Sequence, residues 1–145
     1  IAAQAGAILN ARGKSGLLVP ESIPSAWLPE GYQFRSGSQL TYAEMDASEG
    51  VITGCAVAIA LTGTIVLHHP TEHGRRALSL VPDYHLCVVF RDQLVGTVPE
   101  GIRRMATLQP ALLTTISGPS ATSDIEMIRV KGVHGPRTLE VILAE

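Results

Sequence analysis

The sequence predicts an α/β fold in which a mostly parallel sheet is flanked by helices. Segments typical of strands and of helices alternate at spacings that suit crossover connections. Hydrophobic residues make up 46% of the 145 residues and charged residues only 17%, which indicates elements buried on both faces. The length suits one domain over residues 1–145. Because the chain starts at Ile1, inside a helix-like pattern, we expect an N-terminal segment to be missing.

The first third of the chain predicts a helix, a buried strand and a short second helix. Ala and Leu at helical spacing indicate a helix that Gly13 ends, before the strand "GLLVP". A proline-punctuated loop or one helical turn is expected in "IPSAWLPEG". Residues 34–39, "FRSGSQ", are polar and suit a surface loop or a seam from which mobile residues are missing. Thr41 and Glu44 have capping-box spacing, which predicts a short helix after them.

The middle of the chain predicts three strands around one ambiguous segment. Strands are expected in "GVITG" and "TGTIVLH", whereas "CAVAIALTG" between them suits either a helix or a strand. A short helix closed by Pro82 is predicted from "EHGRRALSLVP". A buried strand, "YHLCVVF", follows it.

The last third predicts a brief extended piece in "QLVGT", a helix with Pro99 in its first turn, and two strands. These strands, "ALLTTIS" and "TLEVILA", enclose the stretch "SGPSATSDIEMIRVKGVHGP". In open parallel sheets, ligands bind outside the carboxyl ends of the strands. Because the stretch begins where a strand ends, we expect it to form part of a binding site.

This stretch holds the candidate catalytic residues. Ser120, Ser123 and Asp124 can each cap a helix start, and free amides at such an end bind anions. Asp124 and Glu126 would repel an anion unless they face away, cap the helix or act as acid or base. His134, between two glycines, is a candidate proton carrier. The alternative is a structural loop in which Asp124 caps the helix and His134 bonds a carbonyl.

Two further features suit an anion. The turn at 62–64 has amides that can hold one, although a simple reverse turn explains it as well. Arg75 and Arg76 at a predicted helix start oppose the helix dipole, and pairing with a carboxylate or an anionic ligand offsets that cost. A surface pair with Asp83 or Glu72 is the alternative. The candidate ligand-binding residues are Thr62, Gly63, Thr64, Arg76, Gly118, Ser120, Ser123 and Arg137.

A cluster of histidines resembles a metal site without requiring one. His68, His69, Glu72 and His73 are residue types that bind metals. However, Pro70 prevents one helix from presenting His69 and His73 on one face. A loop at a strand end that could line a pocket explains the cluster as well. We therefore assign no metal.

Composition excludes several classes of function. A net charge of −2 and an aromatic fraction of 4% argue against a nucleic-acid partner. The longest apolar run, residues 55–61, is too short to cross a bilayer, and no signal peptide is apparent. Two cysteines in apolar surroundings fit a reducing compartment, which predicts the cytoplasm. An iron–sulfur cluster needs about four cysteine ligands, so we expect no cluster held by this chain alone.

Three segments closely resemble the lactate-utilization protein C family, whose domain is the LUD domain. They are "ITGCAVAIALTGTIVL", "GRRALSLVPDYHLCVV" and "TTISGPSATSDIEMIRVKGVHGPRTLEVIL". The third is the most specific, and residues 1–39 match more loosely. The resemblance implies a fold similar to that of the sugar-phosphate isomerases and coenzyme A transferases. In "HHPTEHG" the chain departs from the family, which tends to have small or acidic residues with glycine there.

The resemblance also implies a place in a bacterial three-component system that oxidises L-lactate to pyruvate. The other two components carry the iron–sulfur and redox machinery, so this chain would be an accessory subunit without its own redox centre or cofactor. One alternative is a stand-alone enzyme or binding domain for a carboxylate or phosphate, with Asp124, Glu126 and His134 as its acid and base groups. A purely structural or regulatory domain is the other.

Overall fold

The computed structural model describes residues 1–69, 75–118 and 135–145. Within these ranges the α-helices are α1 (Ala2–Ala11), α2 (Tyr42–Asp46) and α3 (Val98–Met105). The strands are β1 (Gly16–Val19), β2 (Gln33–Ser36), β3 (Val51–Gly54), β4 (Val57–Ile59), β5 (Thr64–His69), β6 (Tyr84–Phe90), β7 (Leu94–Val95), β8 (Leu112–Ile116) and β9 (Thr138–Ala144). Short 3₁₀ turns occupy Ser25–Trp27, Arg76–Ser79 and Arg91–Gln93.

The larger sheet has five strands in the order β2-β1-β3-β6-β9, and every pair in it is parallel. Helix α1 covers one face, where Leu9 packs with Leu17 and Leu86. On the other face Met45 of α2 packs with Val51. The predicted α/β architecture with a mostly parallel sheet is therefore confirmed. Burial on both faces explains why β6 is almost continuously apolar.

A second sheet packs beside α2 on that other face. Its order is β7-β4-β5-β8, and it is antiparallel except between β4 and β7. Ile65 and Leu67 of β5 pack there against Cys87 and Val89 of β6. Strand β8 thus belongs to the antiparallel sheet. The rule that ligands gather at the carboxyl ends of parallel strands therefore does not extend to the stretch that follows β8.

Three local predictions are resolved or corrected. The ambiguous segment after Gly54 forms a strand, because β4 gains ladder partners in β5 and β7. The first half of the polar segment expected to be a loop or seam, residues 34–36, lies in β2, an edge strand, where exposed polar side chains are tolerated. The helix predicted before Pro82 is, in its described part, only the 3₁₀ turn Arg76–Ser79. Because Pro82 disfavours a helical conformation at Val81, the proline limits how far a helix could continue beyond this turn.

The predicted capping box is present. The Glu44 amide donates to Thr41 Oγ1 at 3.3 Å, and the Thr41 amide donates to Glu44 Oε2 at 2.8 Å. Gly13 ends α1 with a φ of 62°, in the left-handed region. Across the described ranges, no helix is both long and apolar enough to cross a membrane.

Candidate functional site

A cavity of about 270 Å³ opens beside the carboxyl ends of β1 and β3. The chain leaves β1 toward β2 on one side and later returns to β3 on the other. This reversal of strand order leaves a crevice, which is where open α/β sheets bind ligands. The lining residues are Pro20, Ser22, Ile23, Trp27, Thr53, Gly54, Cys55, Ala56, Leu67, His68, His69, Arg75, Leu78 and Ser79.

Four chain segments supply this lining. One follows β1, a second ends β3, a third ends β5, and the fourth is the 3₁₀ turn that begins after Arg75. The end of β5 reaches the crevice because its sheet packs across the parallel one. Residues far apart in the sequence therefore converge at one edge of the parallel sheet.

The apolar wall of the pocket depends on Trp27. Its ring lies 5.4 Å, centroid to centroid, from the ring of Phe90 at the end of β6. A Cβ atom at Gly54 would lie 3.4 Å from Trp27 Cη2, which is van der Waals contact, so the indole packs directly over the end of β3. Ile23, Leu67 and Leu78 supply further apolar surface. This wall suits the carbon skeleton of a small organic molecule.

The polar side of the pocket is basic. His68, His69 and Arg75 line it, and none of the lining residues drawn from the described segments is acidic. Arg75 donates a hydrogen bond to the Leu40 carbonyl, and its guanidinium lies 5.3 Å from the centroid of the Tyr42 ring. Both contacts hold the guanidinium, which carries five N–H donors in all, at the wall of the pocket. The balance of charge favours an anionic ligand.

His69 is held in its neutral form near pH 7. Thr114 Oγ1 lies 3.0 Å from its Nε2 and also accepts a hydrogen bond from Arg76 Nε at 3.2 Å. Burial lowers the pKa of His69, and the charges of Arg76 and His68 lower it further. His68, in contrast, donates from Nε2 to the Gln109 carbonyl at 2.8 Å. A bound anion would favour the protonated form of His69.

A buried hydroxyl links the pocket to the sheet interior. Thr53 lines the pocket, and its Oγ1 lies 2.7 Å from Nε2 of His85 on the neighbouring strand β6. His85 is completely buried, and its Nδ1 has no hydrogen-bond partner among the described residues. Burial lowers the pKa of His85 to about 4. The imidazole is thus neutral at physiological pH.

Of the predicted ligand-binding residues, those in the 62–64 turn lie near Gly118 rather than in the pocket. Thr62 Oγ1 lies 2.7 Å from Thr64 Oγ1, which donates to Ser117 Oγ at 2.9 Å. This hydroxyl cluster is at the start of β5, whereas the pocket is at its end. At about 3.3 Å per residue, the two are roughly 16 Å apart along the strand.

The two predicted arginines also separate. Arg76 contacts Thr114 behind His69, while its neighbour Arg75 lines the pocket. Arg137 Nε donates to Asp83 Oδ1 at 2.6 Å. This pair lies beside the amino ends of β6 and β9, whereas the pocket lies at the carboxyl ends of the parallel strands. The pairing of Asp83 with Arg75 or Arg76, considered from the sequence, is therefore wrong.

Several predicted residues lie outside the described ranges, and their roles stay predictions. They are Ser120, Ser123, Asp124, Glu126 and His134, together with Glu72 and His73 of the histidine cluster. Within the described part of the chain, no group of three or more His, Cys, Asp or Glu residues could hold a metal ion.

Sequence reasoning missed the contribution of Trp27 and Thr53. The available signal was the end of the buried strand β3, where Thr53 and Gly54 precede Cys55. The strand order that makes this end part of a crevice was not visible in the sequence.

Comparison with protein families and solved structures agrees with this architecture. The model of the LUD domain family matches residues 25–144. The chain is similar to a crystal structure of a DUF162 family protein from Deinococcus radiodurans, with a TM-score of 0.80 and 44% identity. That likeness covers 99% of this chain and 84% of the other.

Two curated relatives carry the same name, lactate utilization protein C. The one from Deinococcus radiodurans is 52% identical over 142 residues, which cover 95% of this chain and 67% of the relative. The one from Shouchella clausii is 32% identical over 104 residues, which cover 68% of this chain and 45% of the relative. The chain thus spans about half to two thirds of the length of these relatives.

Proposed function

Because this chain belongs to the LUD domain family, we propose that it is a component of a bacterial system that uses L-lactate. Its pocket at the ends of β1 and β3 binds a small carboxylate. The names of the curated relatives support the place in lactate use. The observation that carries the pocket's role is a lining with one arginine, two histidines and, among its described residues, no acidic side chain.

The finer proposal is an accessory role in the oxidation of L-lactate to pyruvate. The chain has two cysteines, whereas a cysteine-ligated iron–sulfur cluster needs about four. We assign the electron transfer to partner subunits that carry iron–sulfur and redox groups. The carboxylate pocket is this subunit's contribution. Both cysteines are free thiols, which supports a cytoplasmic location.

The genetic test is deletion of the gene that encodes this chain in its own host. We expect loss of growth on L-lactate and normal growth on pyruvate, because the proposed role is in the conversion of L-lactate to pyruvate. The wild-type gene supplied in trans should restore growth. Normal growth of the deletion strain on L-lactate would contradict the role in lactate use.

A physical test separates the accessory role from independent action. Affinity-tagged protein, purified from lactate-grown host cells, should retain iron–sulfur-containing subunits in fixed proportion, as a stable interface of at least about 1,200 Å² would ensure. Purification without them, from cells that need the gene for growth on lactate, would overturn the accessory role and leave the role in lactate use intact.

Carboxylate binding should depend on pH through His69. Since the bound anion favours the protonated imidazole, affinity for pyruvate should rise as the pH falls from about 8 to about 5, through the lowered pKa of His69. One linked proton limits the rise to about tenfold per pH unit. Calorimetric titration measures the change, and the His69→Gln protein should show a flatter profile. An equally steep profile in that variant would exclude His69 as the linked group.

A further inference from the structure

Two thiols meet beside the pocket. Cys87 in β6 is the direct register partner of Thr53 in β3. Cys55 follows Thr53 by two residues, which places it further along the same face. Cys55 and Cys87 pack in one apolar cluster between the two sheets. The chain thus places its two cysteines together, although 31 residues separate them in the sequence.

The two thiols differ in their access to solvent. Cys87 is completely buried, whereas Cys55 is partly exposed and lines the pocket. A small reagent in the pocket therefore reaches Cys55 first. Burial slows any direct reaction of Cys87, so we expect it to react mainly with a group that Cys55 presents to it.

Gln93 holds Cys55 in place. Its Nε2 donates to the Cys55 carbonyl at 2.7 Å, and its Oε1 accepts from Cys55 Sγ at 3.3 Å. The interaction with Cys87 lowers the pKa of Cys55, whereas the interaction with Cys55 and burial raise the pKa of Cys87. The more accessible thiol is therefore also the one that ionises first, and the thiolate is the reactive form.

We propose that Cys55 and Cys87 form a hydroperoxide-reactive dithiol, in which Cys55 is oxidised first and Cys87 then closes an intramolecular disulfide. The Cys55 thiolate attacks one oxygen of hydrogen peroxide and the O–O bond breaks. The leaving hydroxide takes up a proton and becomes water. Sulfur loses two electrons and becomes a sulfenic acid.

The second step uses Cys87. Its sulfur attacks the sulfur of the Cys55 sulfenic acid, so an S–S bond forms and the S–O bond breaks. The departing hydroxide takes the proton that Cys87 releases, which yields a second water. Two thiols and one hydrogen peroxide thus give one disulfide and two waters. The disulfide removes the Cys55 thiol from Gln93 and changes the pocket wall.

The test treats the folded wild-type chain with a small excess of hydrogen peroxide, blocks remaining thiols with an alkylating reagent and maps peptides without reduction. We expect the peptides of Cys55 and Cys87 to be joined, with no disulfide-linked dimer in non-reducing electrophoresis. In the Cys87→Ala protein, Cys55 should accumulate sulfenic acid, which dimedone traps. In the Cys55→Ser protein, Cys87 should react at least about tenfold more slowly, because burial protects it.

If the Cys87→Ala protein does not fold, the wild-type protein alone can still test the proposal. Brief alkylation without peroxide should then label Cys55 at least about tenfold faster than Cys87. Sulfenic acid that persists on wild-type Cys55 without a disulfide would overturn the role of Cys87. Equal labelling of the two thiols, or no oxidation until the protein unfolds, would overturn the proposal. None of these outcomes depends on lactate use, so the two proposals can fail separately.

Discussion

Lowering the pH from about 6.5 to about 4.5 should destabilise the protein, because His85 is buried in its neutral form. In the unfolded chain this histidine titrates near its ordinary pKa of 6.5, whereas burial lowers its pKa to about 4 in the folded state. Between these values the unfolded state binds the proton and the folded state does not. Stability is therefore fully present above pH 6.5 and is lost as the pH falls toward 4.

The size of this effect follows from the shift in pKa. Each pKa unit corresponds to about 1.4 kcal/mol, so a fall in pH from the unfolded pKa to below the folded pKa lowers the free energy of unfolding by roughly 3 kcal/mol. Within residues 1–69, 75–118 and 135–145 the Nδ1 atom has no acceptor, so no hydrogen bond from these residues stabilises the imidazolium. Carboxylates act at lower pH: hydrogen bonds from Ser15, for example, lower the pKa of Glu49 below its ordinary 4.5.

Urea unfolding at several pH values measures this dependence. The His85→Gln protein keeps an amide that can reach Thr53 but cannot titrate. We expect it to be less stable at neutral pH and to lose most of the slope between about pH 6.5 and pH 4.5. The His68→Gln protein, altered at a histidine outside the core, should keep the slope. An unchanged slope in His85→Gln would show that another group binds the proton.

Replacing Arg75 should have the largest effect on ligand binding. A charge-assisted hydrogen bond contributes about 1.5–3 kcal/mol, so Arg75→Gln should weaken pyruvate or L-lactate binding by about ten- to a hundredfold. The matched control is Arg76→Gln, which makes the same chemical change one residue away, at a side chain that contacts Thr114 instead of lining the pocket. Its affinity should stay within about threefold of wild type.

Isothermal titration calorimetry compares the two variants, with thermal unfolding to confirm that both are folded. This check matters because Arg75 also contacts Leu40 and Tyr42. The reverse pattern, in which Arg76→Gln loses binding and Arg75→Gln keeps it, would move the anion site away from the pocket.

The parts of the fold that the sequence predicts are those governed by local chemistry. Strand β6 is identifiable because both of its faces are buried, and helix α2 because Thr41 and Glu44 form a capping box. Strand β2 was less clear, since an edge strand can carry polar residues on either face. The antiparallel second sheet depends on long-range pairings such as Leu67 with Thr114, for which the sequence offers no local signal.

The candidate site was harder to predict, because strand order creates it. Only the placement of β1 between β2 and β3 shows that Trp27, Thr53 and His69 face one crevice. The sequence also could not distinguish Arg75 from Arg76, because two adjacent residues of the same type differ only in the direction in which their side chains point. The predicted acid and base groups, Asp124, Glu126 and His134, stay predictions that mutagenesis of each residue can test.

The most direct test of the carboxylate pocket is nuclear magnetic resonance of the histidine side chains during titration with L-lactate and pyruvate. The His69 resonances, assigned by their loss in His69→Gln, should shift saturably, and the pKa of His69 should rise when the ligand is bound. The Arg75→Gln protein should need a higher ligand concentration for the same shift. The contradicting result is that calorimetry detects binding of a carboxylate while the His69 resonances do not shift. The pocket would then not be the carboxylate site.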